Sequence, residues 1–256
     1  MDSDPEQEPI RGEAHSASFW SVHKRGLAFL LELVAGLVLL LTWLPQGART
    51  SLWTALGDQR GLVGLLILFA LVTLSLIWSA GQRLDTRVFL FFALPVYHSR
   101  WLDGFMFVAT QLGSMLAALI AAVVFFLLNF RRLAVEVILG TLTLWLLVET
   151  IKALSDRARP FVTLKQARVI GWRERGYSFP SGHTSQIFFL MTLFIHRFQL
   201  GLAASAALYA LAVLVGFTRM YVGAHYPRDV IGGAVLGCVW GILATLVGPY
   251  WGLLWF

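Results

Sequence analysis

Charge is scarce in this chain. Its 20 basic and 14 acidic side chains make up 13% of 256 residues, net +6, where a soluble domain usually carries roughly 25%. That is too little to coat a water-soluble fold. Disorder is excluded by the same composition, with 58% hydrophobic and 14% aromatic residues and a mean hydropathy of +0.73. Cysteine is reduced to Cys238, so neither an internal disulfide nor a thiolate zinc site can form within the chain. The redox compartment stays open. Internal repeats are lacking, and the length allows one domain or at most two small ones.

What is present is a series of uncharged runs. A helix needs about 20 apolar residues to cross the hydrocarbon core, and residues 61–80, 105–130, 198–218 and 230–256 contain no Asp, Glu, Lys or Arg. Residues 27–44 carry only Glu32, and residues 133–153 carry Glu136, Glu149 and Lys152. The run 183–195 is shorter and continues into His196 and Arg197. The expectation is an all-α, polytopic membrane helix bundle with seven spans. Residues 85–104 alternate apolar with polar and hold Pro95, which suits an interfacial helix or re-entrant loop.

Three regions follow. Residues 1–26 read as a solvated acidic tail, with Asp2, Asp4, Glu6, Glu8 and Glu13 against Arg11. Residues 27–60 read as an extra span and loop; Pro45-Gln46-Gly47-Ala48 fits a signal-peptide cleavage site only weakly. Residues 61–256 form the main domain. Gly233, Gly237 and Gly241 recur every four residues and give the last span a face that a neighbouring helix can approach closely. Trp78, Trp101, Trp172, Tyr250, Trp251 and Trp255 fall at expected span ends, where aromatic rings anchor among headgroups.

Three clusters carry chemistry. After the fourth span, Lys152 is followed six residues later by Arg159-Pro160, and Pro160 biases Arg159 toward an extended backbone. Two cations from a helix end and a turn can grip one phosphate from two sides, each charge-assisted bond worth about 1.5–3 kcal/mol. Next comes Pro180-Ser181-Gly182-His183 before an apolar run. It reads as a helix start whose free N–H groups face an oxyanion, with His183 suited to proton exchange near neutral pH. Last, Arg219, His225 and Asp229 lie between the final two spans, with Pro227 suited to the first helical turn. An Asp four residues beyond a His can reach one ring nitrogen, leaving the other free to attack. Two His and one Asp suit a metal less well than cations suit a phosphate, so no metal or cofactor is expected. Glu149, three residues before Lys152 on one helix face, reads as a supporting carboxylate.

Lys152-x6-Arg159-Pro160, Pro180-Ser181-Gly182-His183 and Arg219-x5-His225-x3-Asp229 resemble the three signature motifs of the type 2 phosphatidic acid phosphatase superfamily. The family includes integral-membrane lipid phosphate phosphatases and the soluble vanadium haloperoxidases. The resemblance spans residues 85–248, with Trp101-Leu102-Asp103-Gly104 similar to the family's interfacial segment. Thr218 stands where the family usually has Ser before the third-motif Arg, and it keeps a hydroxyl. The resemblance implies His225 as nucleophile forming a phosphohistidine, Asp229 as its orienting charge, and His183 as proton donor to the leaving group and then activator of water. It implies Lys152, Arg159, Ser181, the Gly182 N–H and Arg219 as phosphate ligands, with no metal.

Substrates that fit are undecaprenyl diphosphate, phosphatidylglycerophosphate and phosphatidic acid, among which the sequence does not choose. The expected partners are that lipid phosphate and membrane lipids, with no nucleic acid and no obligatory protein. A phosphotransferase using the same intermediate and a non-catalytic lipid-binding protein are the alternatives. The family places the catalytic loops on the extracytoplasmic side of the cell (inner) membrane, whereas counting Lys and Arg favours these basic loops inside.

Overall fold

In a computed structural model of the chain, the structure describes residues 42–76, 79–93 and 99–251, together with positions 35 and 39. Every described regular element is helical. In order they are α1 (Gln46–Asp58), α2 (Arg60–Ser75), α3 (Ser79–Ala93), α4 (Arg100–Thr110), α5 (Met115–Leu127), α6 (Arg131–Ser155), α7 (Pro160–Thr163), α8 (Gly182–Arg197), α9 (Leu202–Tyr221) and α10 (Pro227–Trp251), with a tight 3-10 turn at Gln111–Gly113 between α4 and α5.

The hydrophobic core runs through α8. Its Ile187, Phe189, Leu190 and Leu193 pack with Leu144 and Val148 of α6, Ala212 and Val215 of α9 and Leu236 of α10. The glycine ladder sets the closest of these approaches, between α8 and α10. A Cβ on Gly233 would meet the Ser181 carbonyl at 2.6 Å, one on Gly237 would run into the Ser185 carbonyl, and one on Gly241 would meet Thr192 at 2.6 Å. The small-residue face therefore serves an internal neighbour, as expected of a polytopic chain. Ser181 N–H also donates to the Asp229 carbonyl at 3.0 Å, which joins the starts of α8 and α10 and brings two of the motifs together.

The expected spans are realised unevenly. The segments Arg131–Thr163, Leu202–Tyr221 and Pro227–Tyr250 are long and apolar enough to cross a membrane. The run 105–130, expected as one crossing, is broken: α4 with its 3-10 turn and α5 meet at 59°. The break has a local cause. Ser114 takes an extended conformation and its hydroxyl accepts from Ala117 N–H, capping α5, while the Gly113 backbone sits so close to the His183 carbonyl that a Cβ would meet it at 2.5 Å. The run 61–80 is divided too. Helix α2 ends at Ser75 and is bent 83° from α1. The run 183–195 is α8, whose 16 residues span roughly 24 Å at 1.5 Å per residue, short of the roughly 30 Å core. Among the described residues the count by length and composition is three, or five with each bent pair as one span; the expected seven included residues 27–44. Residues 1–26 and most of 27–44 lie outside the described residues.

The segment expected at the interface begins as α3 and resumes at α4, whose Ser99 cap accepts from Leu102 N–H at 3.2 Å. Asp103 in its first turn is bonded to Arg168 and, at 3.0 Å, to the Tyr221 hydroxyl. It thereby fastens the basic loop to the end of α9.

Candidate active site

The three clusters lie 152–229 along the chain but converge at one end of the bundle. Lys152 is in the last turn of α6, which Asp156 terminates in the left-handed conformation, one that Asp tolerates better than most side chains. Arg159 has the extended backbone that Pro160 favours, and Pro160 opens α7. Ser181 is the N-cap of α8 and makes no side-chain cap bond, so the first-turn N–H groups stay available to an anion. A Cβ on Gly182 would stand 3.8 Å from Lys152 Nζ. Glycine here keeps open the space between the α6 cation and the α8 start.

His225 is 1% exposed and its tautomer follows from its partners. Nδ1 lies 2.8 Å from the Ser178 carbonyl, which can only accept, so Nδ1 carries the proton. Nε2 then carries the lone pair, which accepts from Arg159 Nη1 at 3.2 Å. Asp229 was expected to hold Nδ1 directly, but it stands 3.7 Å away. The reason is that α10 starts at Pro227, so His225 precedes the helix and the one-turn reach does not apply. Asp229 is instead bonded to Tyr226 N–H at 2.8 Å, to the Ser178 hydroxyl and to Arg157. It supplies negative charge beside the imidazole while the Ser178 carbonyl fixes the ring.

Sequence reasoning passed over that Arg157. Its guanidinium bridges Asp229 to Asp85 of α3, donates to Gln82 Oε1 at 2.9 Å, and lies 4.6 Å over the Tyr226 ring. Arg228 adds a second cation on Asp85 at 2.6 Å. Two arginines and two aspartates thus balance in a buried set. The available signal was an Arg two residues before Arg159, since i and i+2 share a side in extended chain.

Glu174 was the other omission, one of two acids in a basic loop, with no pattern to mark it. Its carboxylate joins Arg219 and, at 2.9 Å, Arg159, and lies 3.8 Å from His225 Nε2. Burial opposes its ionisation, yet the charges of Arg219 and Arg159 prevail and hold the carboxyl well below the usual range. Arg219 also donates to Thr110 at 2.8 Å, while its buried Nε has no hydrogen-bond partner. His183 and Glu174 together line two cavities. One of about 190 Å³ runs past Lys152 and Gly182 to Leu144, Trp145 and Val148, and one of about 300 Å³ lies against Phe107, Phe161 and Trp172.

The remaining expected residues are placed as follows. Glu149 pairs with Lys152 at 2.7 Å but is half-exposed. Thr218 points away from the pocket, its hydroxyl donating to the Val215 carbonyl at 2.6 Å. Ser181 is fully buried and its hydroxyl accepts from Thr184 at 2.9 Å. Pro180 precedes it in the segment that leads into α8. Among the described residues no three His, Cys, Asp or Glu side chains converge as a metal site.

Comparison with known proteins defines the class. The fold matches the crystal structure of a transmembrane PAP2-type phosphatidylglycerolphosphate phosphatase from Bacillus subtilis, with a TM-score of 0.61 and 25% identity over 72% of this chain and 94% of that one. It also matches LpxE of Aquifex aeolicus, with a TM-score of 0.55 and 27% identity over 62% and 93% of the two chains. An undecaprenyl-diphosphatase of Sulfolobus acidocaldarius is 27% identical over 180 residues, 68% of this chain and 84% of that protein. The architecture is that of the PAP2 membrane phosphatases, and the protein is an integral membrane protein. Residues 133–252, which hold all three motifs, match the model of the PAP2 superfamily.

Proposed function

We propose that the protein is a lipid phosphate phosphatase that hydrolyses a phosphomonoester or diphosphate of a membrane lipid through a phosphohistidine on His225. The observation that carries this reading is the Nε2 lone pair of His225 facing Arg159 and Arg219 across one anion slot. Lys152, Arg159, Arg219, Ser181 and the Gly182 N–H hold the phosphoryl oxygens as charge accumulates in the transition state. Nε2 attacks phosphorus, the bond to the leaving oxygen breaks, and His183 gives that oxygen its proton. His183 then takes a proton from water, whose oxygen displaces Nε2 and releases inorganic phosphate. Nδ1–H donating to Ser178, with Asp229 nearby, stabilises the ring as it becomes cationic.

The cavity from Lys152 to Leu144, Trp145 and Val148 suits a lipid whose chain enters sideways while its phosphate reaches the slot. Undecaprenyl diphosphate, phosphatidylglycerophosphate and phosphatidic acid remain the candidates. The proposed location is the cell (inner) membrane with the site on the extracytoplasmic side. The test is phosphate release from a panel of these lipids by detergent-purified protein in excess EDTA. We expect release that His225→Ala abolishes and EDTA leaves intact. Release that survives the substitution would refute the phosphohistidine; release that requires an added alcohol acceptor would make the protein a phosphotransferase.

A further inference from the structure

The slot described above is already filled by the protein itself. Glu174 Oε2 is 2.9 Å from Arg159 and Oε1 is bonded to Arg219, so its two oxygens take the places of two phosphoryl oxygens. The carboxylate lies 3.8 Å from His225 Nε2. It fills the slot incompletely. The buried Nε of Arg219 has no partner, the first turn of α8 has no side-chain cap, and Lys152 is paired with Glu149 instead. A planar carboxylate has two oxygens to offer, whereas these leftover donors suit a tetrahedral anion with more.

The loop that carries Glu174 is built to release it. Gly171 and Gly176 flank it with φ of +82° and +79°, and a Cβ on Gly176 would meet nothing within 4 Å. Glu174 also stands between the two cavities, since it and His183 line both. Withdrawal of its side chain would open one toward the other beside His183.

We propose that Glu174 is an intramolecular counter-ion that occupies the phosphoryl slot until substrate displaces it, setting a charge threshold that admits terminal, doubly charged phosphates and turns away singly charged phosphodiester lipids. A tethered carboxylate competes at the high effective concentration of an attached group. A phosphodiester brings the same single charge and gains nothing by exchange. A terminal phosphate brings a second charge and a third oxygen for the unfilled donors. The enzyme would otherwise face a membrane crowded with diester headgroups. The choice of substrate rests on the phosphatase reading, but the occupied slot does not.

The experiment compares wild type with Glu174→Gln and Glu174→Asp in detergent. Binding of tungstate and of inorganic phosphate is read by calorimetry, and KM and kcat by release from phosphatidic acid, with and without phosphatidylglycerol as a diester competitor. Glu174→Gln should bind both oxyanions about tenfold more tightly, the step that 1.4 kcal/mol represents. It should lower KM and become competitively inhibited by phosphatidylglycerol, which leaves wild type unaffected. Glu174→Asp, one methylene short of its partners, should fall between the two and decides the matter if the Gln variant does not fold. Oxyanion affinity unchanged or weakened, with kcat alone reduced, would overturn the proposal and place Glu174 in the chemical step. Tighter oxyanion binding in a protein that releases no phosphate from any lipid would keep the counter-ion and discard the phosphatase.

Discussion

At the scale of single residues, the chemistry of the site rests on buried charges that satisfy one another. Asp229 is fully buried and Arg157 and Asp85 nearly so, and breaking one member of such a set costs about 3–5 kcal/mol because its partners keep their charge. Arg157→Met should therefore lower the unfolding midpoint in detergent sharply and reduce kcat, since Asp229 loses its anchor. Arg157→Lys should recover part of both, a single ammonium being unable to bridge Asp229, Asp85 and Gln82 together. A variant as stable and active as wild type would show that Asp229 is held by Ser178 and Tyr226 alone. The proposed phosphate ligands were legible in the sequence because their spacing is tied to two helix ends and a proline. Arg157, Ser178 and Glu174 were not, because each acts through a partner 45 to 72 residues away in the chain, and no local period records such a contact. Asp229 and His225 do lie side by side at 3.7 Å, but the ring N–H goes to the Ser178 carbonyl, a backbone partner 47 residues away that no spacing marks.

At the scale of helices, uncharged runs identified where apolar segments lie but not where they break. Hydropathy does not register Ser114, which is small, polar and surrounded by apolar residues, yet its cap bond starts a new helix. The glycine ladder was more legible, since a period of four can only put backbone on one helix face. Its consequence for the site is direct. The α8 start carries Ser181, Gly182 and His183, and the ladder sets its distance from α10, which carries Asp229. Gly237→Val would drive a side chain into the Ser185 carbonyl and within 2.7 Å of Phe188 Cβ, an overpacking worth about 1–3 kcal/mol. We expect a lower unfolding midpoint and slower phosphate release. Gly64→Ala on α2, where a Cβ meets nothing within 4 Å, should change neither. Equal behaviour of the two variants would mean that the α8–α10 spacing is not set by this face.

At the scale of the whole molecule, the two ends of the bundle are unequal. One end holds the phosphate slot. At the other, Glu136 of α6 is bonded to Arg197 of α8 and to Arg132 at 3.3 Å, which ties the far ends of the two helices that frame the smaller cavity. The pocket wall is thus clamped at its base and open at its mouth. Beside it stands the broken span. Helix α5 has 13 residues, roughly 20 Å of helix, and its Leu116, Ile120, Val123 and Leu127 are exposed among the described residues. A hydrocarbon layer roughly 30 Å thick cannot match so short a flank without thinning or tilting the helix. Local thinning there would sink the headgroup plane toward the cavity mouth, so that the bilayer itself delivers the phosphate. Turnover of one fixed lipid phosphate in proteoliposomes should then fall as the host lipids lengthen, with KM rising before kcat changes; a rate indifferent to thickness would leave α5 no such role. The break in one helix would then become a dimple in the membrane, and the depth of that dimple would help to determine which membranes this enzyme can serve.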